Sequence, residues 1–259
     1  MKLLIGIVGI RKMKIGIVDA DLIGRKNHRF PNLACEKISG YYKDNGHDVS
    51  LLLDYDFDDS FDNIYISKVF TDTVVPDSIF VDNKKILIGG TGFYFDKAPD
   101  LPYEIEHHMP DYHLYDEWIA QQMCSEINKS NNIGKEFNKT RFLTKYKEYT
   151  DYSIGFLTRG CFRKCKFCVN QKYDHVFQHS SLNEFYDPSR KKICLLDDNF
   201  FGYKNWEYLF DQIVDTNKRF KFKQGMDARI LTEKNVRNYL IVNTTEILHL
   251  LLIISLTMI

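Results

Sequence analysis

Three cysteines fall within eight residues in Cys161-Phe-Arg-Lys-Cys165-Lys-Phe-Cys168, the spacing CxxxCxxC. Thiolates are the natural ligands of soft metals and of iron–sulfur clusters. Three of them this close can hold three corners of an iron–sulfur cube and leave the fourth iron without a protein ligand. A structural zinc site would need a fourth protein ligand. Cys194, His175 and His179 are the candidates, and none stands at a usual zinc-ligand spacing. Arg163, Lys164 and Lys166 put positive charge beside the sulfurs, which favours the thiolate. The spacing favours a cluster and leaves zinc as the alternative.

A second constellation is Asp197-Asp198, at the end of the apolar run Lys192 to Leu196. A carboxylate there can pair with an ammonium group on a ligand. Two acids at a strand end can equally cap the next helix or face solvent. Gln224, Asp227 and Arg229 could line the same mouth, with a structural role as the simpler reading. His107, His108 and His113 lie near Pro110 in a loop and read as surface or packing residues.

The elements that must position these groups repeat as strand, loop, helix. Strands are expected at Lys14 to Val18, Val49 to Leu53, Ile64 to Ile66, Ile79 to Val81 and Lys85 to Ile88. The last of these runs into Gly89-Gly90-Thr91-Gly92, a turn suited to close backbone approach by a ligand. A helix over Asn32 to Asn45 ends at Asn45-Gly46, and Tyr115 to Asn128 reads as another. Short apolar strands with helix-length connections predict a parallel, Rossmann-like sheet, with ligands outside the carboxyl ends of its strands. The polar stretch Lys129 to Glu148 looks like a connector. A second series follows, with strands at Ser153 to Leu157, Lys192 to Leu196 and Phe220 to Phe222. A helix over Asn205 to Asn217 carries Trp206, Leu209, Phe210 and Ile213 on one face, and Thr232 with Glu233 caps another helix. This second series predicts the beginning of a barrel or half-barrel.

The whole chain of 259 residues balances 35 Lys+Arg against 35 Asp+Glu, so net charge gives no support for nucleic-acid binding. An apolar fraction of 44% and 19 Phe with 16 Tyr predict a folded chain with a substantial core. Cys35, Cys124 and Cys194 stand alone, which excludes a disulfide framework. The start MKLLIGIVGIRKMK has too short an apolar stretch for a signal sequence, so a reducing, cytoplasmic setting is expected.

Thr158-Arg159-Gly160-Cys161 running into CxxxCxxC, with Phe167 before the last cysteine, resembles the signature of the radical S-adenosylmethionine superfamily. The resemblance implies that Cys161, Cys165 and Cys168 bind a 4Fe–4S cluster and that S-adenosylmethionine binds its open iron. It also implies cleavage of the cofactor to a 5′-deoxyadenosyl radical, with Phe167 against the adenine. A low-potential electron donor would be the partner; the substrate is not named. Leu195-Leu196-Asp197-Asp198-Asn199-Phe200 resembles the second barrel strand of members that carry an N-terminal cobalamin-binding-like domain. Others have Gly-Gly-Glu near the cofactor's amino group, and here Asp197 or Asp198 would serve. The D-x-H-x-x-G motif that supplies a cobalt ligand is absent, the corresponding loop reading Asp19-Ala20-Asp21-Leu22-Ile23-Gly24. Some relatives bind cobalamin without that histidine. The expectation is that cobalamin binds weakly or not at all.

The expected organisation is an extra segment over 1–12, a cobalamin-binding-like Rossmann domain over 13–115, a helical connector over 116–150, a partial radical S-adenosylmethionine barrel over 151–240 and an apolar tail over 241–259. In the first segment Ile5-Gly6-Ile7-Val8 anticipates Ile15-Gly16-Ile17-Val18, and Met13 before the second copy suggests a start placed too early; an extra edge strand is the alternative. The tail's apolar run, Ile247 to Ile254, is too short for a membrane span of about 20 residues. It reads as a buried strand without onward partners or as out-of-frame residues after a truncation. The three βα units begin at Ser153, Lys192 and Phe220, where the family's barrel has six strands. An incomplete barrel with poor turnover is therefore expected, its open apolar edge inviting aggregation or a partner chain. The alternatives to a radical enzyme are a non-catalytic iron–sulfur or zinc module and an inactive fragment.

Overall fold

A computed structural model describes residues 11–81, 84–224 and 227–235. The expectations for most of 1–12, for the end of the barrel and its helix over 236–240, and for the tail over 241–259 lie outside the described residues.

The β-branched run Lys14–Asp19 forms β1, with Ile15, Ile17 and Val18 fully buried. Asp19 ends it and caps the short helix α1, Ala20–Gly24, by accepting from the backbone N–H groups of Asp21 and Leu22. Helix α2 spans Leu33–Asp44, and the Asn32 side chain takes the N–H groups of Ala34 and Cys35, satisfying two donors of its first turn. Gly46 follows with φ 81°, in line with the Asn-Gly stop. Strands β2, Asp48–Leu52, β3, Asn63–Ser67, and β4, Ile86–Gly89, complete a four-stranded sheet in the order β2-β1-β3-β4. Every pairing in it is parallel, consistent with a Rossmann-like arrangement. The strand expected at Ile79 to Val81 is instead a 3₁₀ turn over Asp77–Phe80. Only Ile79 of that run is buried, while Phe80 and Val81 face solvent. Three apolar residues were too few for periodicity to separate a turn from a strand.

Helices α3, Thr91–Tyr94, α4, Tyr103–Glu106, α5, Asp116–Asn132, α6, Lys139–Lys145, and α7, Lys147–Thr150, follow. Trp118, Phe142 and Tyr149 from the last three, with Tyr146 between α6 and α7, join Ile15, Ile17 and Ile38 in one apolar cluster. The polar look of 129–148 hid this packing, because its aromatic residues are spaced among lysines.

The second half contains β5, Tyr152–Gly155, β6, Thr158–Arg159, β7, Phe177–Gln178, β8, Lys192–Leu195, helix α8, Trp206–Asp215, and β9, Arg219–Phe222. Strands β5, β8 and β9 form a parallel sheet in sequential order, so each strand is added on the same side. Trp206, Leu209, Phe210 and Ile213 of α8 pack on Ile193, Leu195, Phe220 and Phe222, as the helical spacing predicts. The halves share a further cluster of Leu33, Tyr112, Tyr152, Ile154, Cys194 and Leu196. Across it the Tyr112 hydroxyl accepts from the Ile154 N–H at 2.7 Å and donates to the Phe185 carbonyl at 2.6 Å. Buried Arg190 donates to the carbonyls of Tyr149 and Tyr112 at 2.7 and 2.6 Å. Among the described residues no helix is long and apolar enough to cross a membrane.

Candidate functional site

The three cysteines sit on the loop between β6 and β7. These two-residue strands pair antiparallel, Thr158 with Gln178 and Arg159 with Phe177, and so tie the loop's ends together. Each cysteine is partly buried. Gly160 turns the chain into the loop with φ 91°, and a Cβ there would strike the His175 carbonyl. Gly160→Ala is accordingly expected to destabilise the fold by about 1–3 kcal/mol, read as a lower midpoint in denaturant unfolding.

The end of β8 braces this loop. Asp197, fully buried, accepts from the Leu157 N–H at 3.3 Å and from the Thr158 N–H and hydroxyl at 2.6 Å each. Burial pushes its carboxyl up to about 7, although the Thr158 and Leu157 bonds pull the other way. Asp198 accepts from the Gly160 N–H at 2.9 Å and from the Asn170 side-chain amide at 2.6 Å. One acid thus holds the strand before the motif, and the other holds the residues on either side of it. This use of the pair is neither a helix cap nor solvation. It lay beyond the reach of sequence reasoning because the partners, backbone N–H groups and the side chains of Thr158 and Asn170, lie 28 to 40 residues earlier.

Two sulfurs receive N–H donors. The Asn170 backbone N–H points at Cys168 Sγ at 3.4 Å, and the Asn199 amide at Cys161 Sγ at 3.6 Å. The buried Asn199 Oδ1 has no hydrogen-bond partner among the described residues. Neither asparagine was singled out from the sequence; Asn199, directly after Asp197-Asp198, offered the only clue. Two of the basic residues have partners of their own: Arg163 is bound to Asp227, which Arg229 also holds at 2.7 Å, and Lys164 donates to the Gln171 carbonyl at 2.7 Å. Burial pushes Asp227 up, but its bonds to Arg229 and Arg163 outweigh this and hold it below the usual carboxylate range. Phe167 projects into solvent, 86% exposed.

Among the described residues no three His, Cys, Asp or Glu side chains converge so as to hold a metal ion. The donor chemistry fits a cluster nonetheless: three thiols share one tethered loop, and N–H groups are aimed at two of the sulfurs. Such bonds stabilise the anionic sulfur ligands of iron–sulfur centres.

Beside the loop, at the carboxyl ends of β3 and β4, lies a cavity of about 420 Å³. Ser67, Gly89 and Gly90 form its sheet side, Leu33 and Lys37 of α2 another wall, and Phe156, Arg159 and Asn170 the side toward the cysteines. Lys37 is ion-paired with Glu106 at 2.9 Å. Beyond them the His107 and His179 rings stack at 5.1 Å, and His107 meets Glu184 at 2.7 Å.

No protein-family model matches the chain, and no curated protein does. Solved structures of the cobalamin-dependent S-adenosylmethionine radical enzyme OxsB are similar to it at low identity. With aqua-cobalamin bound, the identity is 13% over 88% of this chain and 41% of that one, with a TM-score of 0.47. With aqua-cobalamin and S-adenosylmethionine bound, the identity is 15% and the TM-score 0.46 over the same shares. The chain thus spans less than half the length of those structures.

Proposed function

We propose that the protein is a radical S-adenosylmethionine protein whose Cys161, Cys165 and Cys168 hold a 4Fe–4S cluster. The observation that supports this best is the CxxxCxxC loop itself, tied at both ends, braced by Asp197 and Asp198, and supplied with N–H donors to Cys161 and Cys168. A bound cluster would supply the electron, taken from a low-potential donor, that cleaves S-adenosylmethionine to a 5′-deoxyadenosyl radical. The protein's own share is to hold the three thiolates, orient the cofactor and exclude water. The sequential parallel strands β5, β8 and β9 are then the first strands of a barrel, with the loop after the first of them. Residues 13–115 form the cobalamin-binding-like domain of this reading, without a histidine in its first loop.

The test is anaerobic reconstitution with iron and sulfide, reduction with dithionite, and assay of 5′-deoxyadenosine formed from S-adenosylmethionine. Cluster incorporation without cofactor cleavage would favour a non-catalytic iron–sulfur module.

Asp198, only partly buried, is the acid assigned to the cofactor's ammonium, and Asp197 to the loop. Asp198→Ala is expected to weaken S-adenosylmethionine binding by about 1–3 kcal/mol, the range of a charge-assisted hydrogen bond. Isothermal titration of the reconstituted protein measures it, and unchanged affinity would leave Asp198 with a bracing role alone.

A further inference from the structure

We propose that the cavity between the four-stranded sheet and the cysteine loop is a pocket for a small apolar molecule bearing one anionic group, and that Arg159 binds that group. The proposal deepens the radical reading and rests on it for the reaction, although binding requires no cluster.

Size and lining come first. About 420 Å³ lies within the usual range of small-molecule pockets, about 300–1,000 Å³. Most of the wall is apolar, with Leu33, Ile66, Ile88, Phe156 and Val169 among its residues. Gly90, with φ 101°, lets the wall beside β4 pass close to the Lys68 carbonyl, which a Cβ there would strike.

Charge sets the second requirement. Three cations and three carboxylates line the cavity, and two pairs form: Lys37 with Glu106 at 2.9 Å and Lys172 with Asp100 at 2.7 Å, while no ion pair joins Asp96 to Arg159 among the described residues. Arg159 differs. Its Nε is buried without a hydrogen-bond partner among the described residues, and its guanidinium stacks on the Phe156 ring, 4.0 Å from the centroid. Stacking fixes the guanidinium plane, leaving a preset fork for a carboxylate or similar anion. A buried donor without a partner is costly, so an arriving anion recovers free energy that the empty pocket forgoes. The neighbouring imidazole adds no competing cation at neutral pH. Burial, reinforced by the charges of Arg159 and Lys37, pushes His179 down to about 4 against the pull of Glu106.

Position links the pocket to chemistry. Asn170 lines it and donates its backbone N–H to Cys168 Sγ, so a ligand held there lies against the cysteine loop. No imidazole, thiol or thioether lines the cavity, so a corrinoid held there would have no protein ligand to its cobalt, and competition with hydroxocobalamin separates it from a substrate.

The probes are 8-anilinonaphthalene-1-sulfonate, an apolar anion, and N-phenyl-1-naphthylamine, nearly the same ring system without charge. Both are titrated by fluorescence into the full chain. The anion is expected to bind saturably and one to one. Arg159→Gln should weaken it by about tenfold or more while changing the neutral dye by less than about twofold. Arg159→Lys should recover only part of the anion's affinity, since the charge remains but the stacked, planar fork is lost. Ala34→Phe, which fills the cavity, should weaken both dyes. Far-UV circular dichroism confirms that each variant is folded. The proposal is overturned if the folded Arg159→Gln and Ala34→Phe proteins bind the anion as the parent does. Stoichiometric hydroxocobalamin binding that displaces the dye also overturns it, giving the cavity to a corrinoid. Iron uptake is measured on the same preparations: its loss with dye binding intact refutes the cluster reading and leaves the pocket standing.

Discussion

Alanine at Cys161, Cys165 or Cys168 is expected to abolish iron uptake and the oxygen-sensitive visible absorbance of the anaerobically reconstituted protein. Alanine at Cys35, Cys124 or Cys194 should leave both intact. The contrast follows from position. Cys35 and Cys194 are fully buried in apolar clusters, and burial pushes the Cys35 thiol well above its ordinary range, against thiolate formation. Cys124 lies on the exposed side of α5, away from the loop in sequence. If the three cysteines hold a cluster, loss of one removes a corner that no other thiol on the loop can replace. Inductively coupled plasma analysis for iron and zinc decides the matter, together with the paramagnetic signal of the reduced protein. Stoichiometric zinc with no iron uptake in the parent would end the cluster interpretation.

Asp197→Ala should be the most damaging change among the polar residues of the site. It strands the N–H groups of Leu157 and Thr158 and the Thr158 hydroxyl in a fully buried place. At about 1–3 kcal/mol for each unsatisfied donor, tempered by relaxation, a loss of about 2–5 kcal/mol is expected, measurable by urea unfolding. Asparagine keeps the acceptor oxygen and should cost less. The same residue predicts a pH effect. Its folded pKa is raised, from 3.8 to about 7, so between those values the folded protein holds a proton that the unfolded chain releases. The contribution to stability is therefore complete below about pH 4 and declines as pH rises through 7. Asp19, also raised to about 7 by burial, adds in the same sense. Asp197→Asn should flatten the fall in unfolding free energy between pH 5 and 8, and an unaltered slope would show that the Asp197 carboxyl titrates normally.

The parallel sheets were legible wherever an apolar run ended at a polar cap. Asn32 with α2 and Gly46 after it stood out because capping chemistry is local. The face of α8 showed in the spacing of Trp206, Leu209, Phe210 and Ile213. The ribbon of β6 and β7 did not, since two residues per strand carry no period. The cysteines were legible by spacing alone. Their supporting asparagines were not, because a loop asparagine looks the same whether it faces water or a sulfur. Arg159 drew notice only as part of a motif; its place in a cavity wall depends on a sheet more than sixty residues upstream.

The bracing of the cysteine loop also dictates an order of events during synthesis. Asp197 and Asp198 emerge 29 and 30 residues after Cys168, and they can reach Thr158 and Gly160 only once β8 has paired with β5. Until then the thiols lie on an unanchored segment, reactive toward oxidants and stray metals. If the proposed cluster is bound, its loading must wait for β8 to leave the ribosome, because before then the three thiols have no brace.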